Sequence, residues 1–148
     1  MRLPSILVAI ILGALVTNIN SPAAADGALA VGYTGDIAKD GLSIGYKSNA
    51  KNMSEAKEIA LKECKEDGVI HPLRKRAAAQ CRQVATFQNE CLATSLDPKA
   101  GTPGWGWAIA ADSATAKDRA IESCKTTAGA ERRQFCIVDT VKCDGTAK

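Results

Sequence analysis

Histidine and aromatic residues are scarce in this chain of 148 residues, and each shortage excludes or limits a class of functional site. Histidine occurs once, at position 71, which excludes a metal centre built from several imidazoles. His71 is also the one candidate histidine base, and because it precedes Pro72 in a predicted loop we expect a solvated side chain there. Aromatic residues make up 4% of the chain, so any stacking surface has few rings available.

The motifs of zinc and phosphate sites are missing as well. The six cysteines contain no C-x-x-C pair, which argues against a structural zinc site. No glycine-rich loop leads into a helix, as phosphate binding requires, because "GTPGWGW" runs into a predicted strand. The formal charge of +3 is too small to indicate a polyanionic partner by itself. We therefore expect no metal, no cofactor and no nucleic-acid partner.

The N-terminal stretch is typical of a secretory signal peptide. Arg2 precedes an apolar run over 3–16, and three alanines follow at 23–25. An uncleaved membrane anchor is the alternative, but the run is shorter than the roughly 20 residues that a spanning helix needs. No cysteine lies near the expected cleavage after Ala25, which argues against a lipoprotein.

Cleavage would leave residues 26–148 as a single exported domain, secreted or periplasmic, that meets the membrane only through its signal peptide. Loss of Arg2 lowers the formal charge from +3 to +2. All six cysteines lie in the exported part, and an even count in an oxidising compartment indicates disulfides. They are Cys64, Cys81, Cys91, Cys124, Cys136 and Cys143.

A repeat organises the exported part. The stretch "AKEIALKEC" at 56–64 returns as "AKDRAIESC" at 116–124, with two alanines and the cysteine four residues apart in each copy. That spacing puts the small residues on one face of a helix. Asn52 and Asp112 stand at the N-cap positions, so we expect helices at about 53–66 and 113–127.

Strand-like stretches surround each predicted helix. Apolar alternation occurs at 27–33, 43–49, 90–96 and 104–110, and each helix is followed by a loop, a cysteine and a further strand. Each copy thus predicts strand, strand, helix, loop, strand. We expect an α+β fold of two such pseudo-repeated units, at about 26–89 and 90–148, with two helices on a mainly antiparallel, disulfide-stapled sheet.

The Ala-x-x-x-Ala-x-x-x-Cys helix followed by a Cys-strand-Cys stretch, present twice, resembles a small secreted bacterial family. That family is known as a domain of unknown function, numbered forty-one eighty-nine. The resemblance implies export and the two-unit fold, and it implies no activity. The first connection between helix and strand, 65–80, is longer than its counterpart in the second copy and departs from the family pattern.

The duplication also predicts the disulfide pairing. It favours pairings that treat both copies alike, so each helix cysteine should join the cysteine that opens the next strand. We therefore expect Cys64–Cys81 and Cys124–Cys136. The remaining bridge, Cys91–Cys143, should tie the strand at the seam to the last strand and lock one unit to the other.

Two sets of residues are candidates for a binding surface. Trp105 and Trp107 lie two apart on one strand, so both rings face the same side and could stack on a sugar or peptide; core packing is the simpler explanation. The second set is basic and could meet an envelope polymer or an acidic partner, although solvated loops explain it more simply. Its members are Arg74, Lys75, Arg76, Arg82, Arg132 and Arg133.

We expect a small exported binding domain without enzymatic activity, whose partner is an unknown protein or an envelope polymer. One class is an interaction module, for example an inhibitor of a secreted or envelope hydrolase, that uses a strand edge or the tryptophan strand. Another is a polyanion binder that uses the basic loops. An enzyme with an unfamiliar site is the third class, and it would require His71 to converge with carboxylates in a pocket.

Overall fold

The structure, a computed structural model, describes residues 25–148, so the signal peptide predicted at 1–25 lies outside the described residues except for its last position. The strands are β1 (Asp26–Tyr33), β2 (Leu42–Ala50), β3 (Arg82–Phe87), β4 (Cys91–Leu96), β5 (Trp105–Ala110) and β6 (Ile137–Cys143). The helices are α1 (Ile37–Asp40), α2 (Met53–Ile70), α3 (Lys75–Ala78) and α4 (Ser113–Ala128). Short 3-10 turns occupy Pro72–Arg74 and Arg133–Phe135.

The strands form two separate three-stranded antiparallel sheets, one in each half of the chain. The order is β2-β1-β3 in the first sheet and β5-β4-β6 in the second. The first strand of each half is therefore the centre of its sheet, and the strands before and after the long helix are its edges. This is the predicted α+β class with two similar units.

The long helices begin where their caps predict. The side chain of Asn52 accepts a hydrogen bond from the backbone N–H of Glu55 at 2.9 Å, and that of Asp112 accepts one from Thr115 at 2.8 Å. The pKa of Asp112 lies below its usual value because the N–H of Thr115 stabilises the ionised carboxylate. Helix α4 ends within one residue of the prediction, whereas α2 continues to Ile70.

Each long helix lies very close to its sheet. A Cβ on Gly45 in β2 would overlap the carbonyl oxygen of Ala60 and the amide nitrogen of Cys64. A Cβ on Gly106 in β5 would overlap the amide nitrogen of Cys124 in the same way. The helix stripe is fully buried at Ala56, Ala60, Cys64, Ala116, Ala120 and Cys124. The repeated small residues therefore permit a backbone-to-backbone approach of helix and strand.

The two sheets pack face to face, and the long helices cover their outer faces. The core between the sheets consists of buried Leu29, Val31, Phe87 and Leu92, with partly buried side chains from both edges packed around them. Separate small-residue clusters lie between each helix and its sheet. The order of layers is helix, sheet, sheet, helix. Within residues 25–148, no helix is both long and apolar enough to cross a membrane.

The disulfides are those that the duplication predicts: Cys64–Cys81, Cys124–Cys136 and Cys91–Cys143. The first two join a long helix to the residue before an edge strand. The third ties the strand at the seam to the last strand, as predicted, but the prediction that it locks the two units together is wrong. Cys91 and Cys143 are register partners on β4 and β6, so the bridge ties two strands of the second unit and does not lock the units together. The reason is that β4 is the central strand of the second sheet.

A polar joint connects the two units at one end of the sheets. The backbone N–H of Asn49 donates to the Asp144 carboxylate at 2.6 Å, and the Asn49 side-chain oxygen accepts from the N–H of Gly145 at 3.0 Å. The side chain of Asn89 accepts from Thr146 at 3.4 Å. Asn49 and Asn89 have left-handed φ values of 54° and 53°, which asparagine tolerates better than most residues.

Candidate functional site

A cleft of about 560 Å³ opens at the edge of the interface between the two sheets. Its walls come from α1, from β2, from the connection between β4 and β5, and from the segment that follows α2. The apolar lining includes Leu42, Ile44, Tyr46, Leu73, Leu96 and Trp105. The charged groups at the cleft are Lys39, Asp67, Arg74, Asp97, Lys99 and Asp139. The cleft thus combines an apolar interior with charges of both signs, as ligand-binding clefts commonly do.

The two tryptophans lie on the inner side of β5, as their spacing predicts. Both indole rings are partly buried against the core between the sheets. The ring centroid of Trp105 lies 5.8 Å from that of Tyr33, and Trp105 also lines the cleft. Trp107 does not line it. The rings therefore serve as core packing, and one of them also contributes to the cleft wall.

Asp67, in the last turn of α2, gathers three polar side chains beside the cleft. The hydroxyl of Ser43 donates to Asp67 Oδ2 at 2.8 Å, and Arg74 Nη1 lies 3.3 Å from Oδ1. His71 Nε2 lies 3.7 Å from the same oxygen. Serine, aspartate and histidine do meet here, but the carboxylate stands between the other two.

That order does not support nucleophilic catalysis. In a catalytic triad the imidazole contacts the serine and the carboxylate orients the imidazole. Here the Ser43 hydroxyl already donates to the carboxylate and its side chain is fully buried. The Asp67 cluster instead fastens the end of α2 to β2 and to the following turn.

A buried aspartate pairs with an arginine in each unit. In the first unit Asp40 lies 2.9 Å from Arg76 and accepts the Thr34 hydroxyl at 2.7 Å. In the second, both oxygens of Asp97 accept hydrogen bonds of 2.7 Å from Arg132. Each pair fastens the connection after the first strand to the connection after the long helix.

Sequence patterns do not single out either aspartate. A signal was present, however, because the paired residues are 36 positions apart in the first unit and 35 in the second. In the second unit the Arg132 hydrogen bonds lower the pKa of Asp97 to about 2, the N–H of Lys99 acts in the same direction, and burial opposes both. Recurrence of an acid–base pair at nearly the same separation in two copies can therefore reveal a structural contact.

The basic candidate residues are divided between internal contacts and free surface. Arg74, Arg76 and Arg132 face the carboxylates of Asp67, Asp40 and Asp97. The guanidinium of Arg82 lies 5.7 Å above the ring of Tyr33. In the part of the chain that the structure describes, Lys75 and Arg133 are exposed and belong to no ion pair. Much of the positive charge in these loops is therefore already neutralised.

No metal centre emerges from the described residues. Within 25–148, no three side chains of His, Cys, Asp or Glu lie together as ligands of an ion. All six cysteines are in disulfides, so none offers a thiolate.

Comparison with known proteins assigns the chain to a family but gives no activity. No curated protein and no solved structure matches it. The family described as "Domain of unknown function (DUF4189)" matches residues 27–143, which is most of the chain and both units of the fold. The protein with this cleft between two disulfide-stapled units therefore belongs to the DUF4189 family.

Proposed function

We propose that this protein is an exported binding module, without enzymatic activity, that holds a short segment of a partner protein in the cleft between its two units. The observation that carries the proposal is the cleft itself. Its volume of about 560 Å³ lies within the range of roughly 300–1,000 Å³ that is typical of ligand sites. The cleft combines a concave apolar surface with charged groups of both signs at its border.

The lining favours a peptide. Leu42, Leu96 and Trp105 offer apolar contact for one or two side chains. Lys39 and Lys99 can meet a carboxylate, and Asp139 can meet a basic group or a backbone N–H. A peptide presents all of these groups within a few residues, and binding of this kind is what an inhibitor of a hydrolase would also use.

Export is supported by the three disulfides. Such bridges persist mainly in oxidising compartments, and small domains there use them to supplement a modest core. The absence of catalysis is supported by the order of groups at Asp67, since Ser43 is buried and His71 does not contact it through a hydrogen bond.

Filling the cleft tests the proposal. Ala100 is exposed and lines the cleft, so Ala100→Trp should block it without disturbing the core. The control is Ala111→Trp, at an exposed position outside the cleft lining. Peptides selected from a random phage-displayed library on the wild-type protein should bind Ala111→Trp normally and lose at least about tenfold in affinity for Ala100→Trp. Selection of no peptide, or equal binding to both variants, would refute the cleft as the site.

The polyanion hypothesis is less favoured, because three of its arginines already face carboxylates. The polyanion hypothesis predicts a different binding behaviour. Polyphosphate should bind through Lys75 and Arg133, should be displaced by salt, and should be unaffected by Ala100→Trp. Salt-sensitive polyphosphate binding that Lys75→Ala and Arg133→Ala abolish would favour the polyanion function over the peptide function.

A further inference from the structure

Three large aliphatic side chains protrude where α2 ends and the next turn begins. Val69, Ile70 and Leu73 have exposed fractions of 80%, 71% and 92%. We call these three residues the apolar tip. Single exposed aliphatic residues are common on protein surfaces, but three neighbours exposed to this degree mark an interaction surface.

The apolar tip is an addition to the repeat. In the second unit α4 ends at Ala128 and Gly129 follows. The exposed large apolar side chains after that helix are Phe135 and Ile137, at 44% and 50%, which is less than any residue of the apolar tip. The disulfide loop is correspondingly longer in the first unit, with 17 residues of separation against 12 in the second. The extra residues do not complete the core, because the three side chains point into solvent.

Positive charge borders the apolar tip. Lys65 and Lys75 are exposed and line, together with Gly68, Val69, Pro72 and Ala78, a shallow hollow of about 540 Å³ beside it. The nearby carboxylates have basic partners, since Glu66 lies 3.8 Å from Lys62 and Asp67 lies 3.3 Å from Arg74. The two lysines therefore remain available to an external anion.

We propose that the apolar tip inserts into the interface of an anionic lipid surface, with Lys65 and Lys75 against the lipid phosphates. Aliphatic side chains that protrude, with lysines at their base, match the boundary between acyl chains and headgroups. Protein interfaces instead concentrate their binding energy in Trp, Tyr and Arg, and the apolar tip has none of these. The hollow offers an apolar wall beside two ammonium groups, which complements one phospholipid.

This surface overlaps the peptide cleft at one residue. Leu73 lines the cleft as well as belonging to the apolar tip, whereas Val69 and Ile70 do not line the cleft. A docked protein would hold the mouth of the cleft close to the lipid. The expectation that only the signal peptide meets the membrane is replaced here by a contact of the exported domain itself.

Vesicle sedimentation tests the proposal. The exported form, residues 26–148, should bind vesicles of phosphatidylglycerol and phosphatidylcholine, and should bind pure phosphatidylcholine much more weakly. Val69→Ser with Ile70→Ser should lower binding at least about tenfold, because most of the inserted apolar area is removed. The control is Ile137→Ser, at an isoleucine of β6 that is 50% exposed and lies outside the apolar tip, and this variant should bind like the wild type. Lys65→Glu with Lys75→Glu should lower binding to the anionic vesicles alone.

Several results would overturn the proposal. One is binding to anionic vesicles that survives both double variants; another is no binding at all. A wild-type dimer that the serine variant dissociates, without vesicle binding, would assign the apolar tip to a second copy of the chain. We expect Ala100→Trp, which blocks the cleft, to bind vesicles like the wild type. That result would show that vesicle binding does not depend on the cleft. If the serine variant does not fold, judged by circular dichroism, the lysine variant decides alone.

Discussion

Asp97 and Arg132 form an ion pair with two hydrogen bonds, and the pair links folding to pH. Two hydrogen bonds from one guanidinium hold the pKa of the Asp97 carboxyl at about 2, against an ordinary 3.8. A carboxylate whose pKa is lower in the folded than in the unfolded protein stabilises the fold above the unfolded pKa. That contribution is therefore complete above about pH 4 and is lost as the pH falls to about 2.

Removing the guanidinium should flatten this dependence. We expect the free energy of unfolding of Arg132→Gln to be lower than that of the wild type at neutral pH and to vary less with pH between about 2 and 4. Urea unfolding at a series of pH values measures both. The control is Arg133→Gln, whose exposed side chain belongs to no ion pair among the described residues. Parallel curves for Arg132→Gln and the wild type would show that the pair does not set the pKa.

At the scale of elements, the contact between helix and strand explains the duplicated motif. In each unit a glycine of the edge strand faces the helix, and the bulky residues on either side of it face the other sheet. The alanine stripe lets the helix approach, and the disulfide after the stripe fixes it there. Both halves need this device because a helix face of alanine buries little apolar area.

Substitution of the two glycines that face the helices, Gly45 and Gly106, should therefore destabilise the fold more than substitution of a glycine in open space. Gly45→Ala and Gly106→Ala should each lower the free energy of unfolding by at least about 2 kcal/mol, because the added methyl meets backbone atoms that cannot move aside. Gly35→Ala is the matched control, since a Cβ there has nothing within 4 Å, and its effect should stay within about 0.5 kcal/mol. Equal effects at all three positions, measured by urea unfolding, would contradict the close approach.

Local patterns were sufficient for the two long helices, the strands and the disulfide pairs, whereas the short helices α1 and α3 were not predicted. Ala56, Ala60 and Cys64 are spaced four residues apart, which places them on one face of a helix. The N-cap residue stands four positions before the first alanine of each copy. The end of α2 was not predictable in this way. Val69 and Ile70 extend the helix into solvent, so they do not continue the regular spacing of its buried residues. Regular spacing of apolar residues in a sequence indicates which side of a helix is buried, and it gives no information about exposed residues such as these two.

Contacts between distant segments were the least predictable part. The cleft depends on how the two sheets face each other, which no spacing within one strand encodes. The role of Cys91–Cys143 depends on the order of strands, since a bridge at the seam could join either units or strands. The two aspartate–arginine pairs are recognisable only when both copies are compared.

At the scale of the whole molecule, the two units share one core. Leu29 and Val31 from the first sheet pack with Leu92 from the second, so neither unit buries its inner face without the other. The joint between Asn49 and Asp144 adds hydrogen bonds across the same boundary. We therefore expect residues 26–148 to unfold as a single cooperative unit, although the fold consists of two similar halves.

The distribution of tryptophan makes this testable. Both tryptophans lie in the second unit and pack against the core between the sheets, so their fluorescence reports on that unit and on its contact with the first, whereas circular dichroism reports on both units throughout. Leu29→Ala, a change in the first unit, should lower the free energy of unfolding by about 2–5 kcal/mol and should shift both signals together. Lys57→Ala, on the exposed face of α2, should shift neither. If Leu29→Ala leaves the fluorescence transition in place while the dichroism divides into two steps, the halves fold independently and the shared core does not couple them.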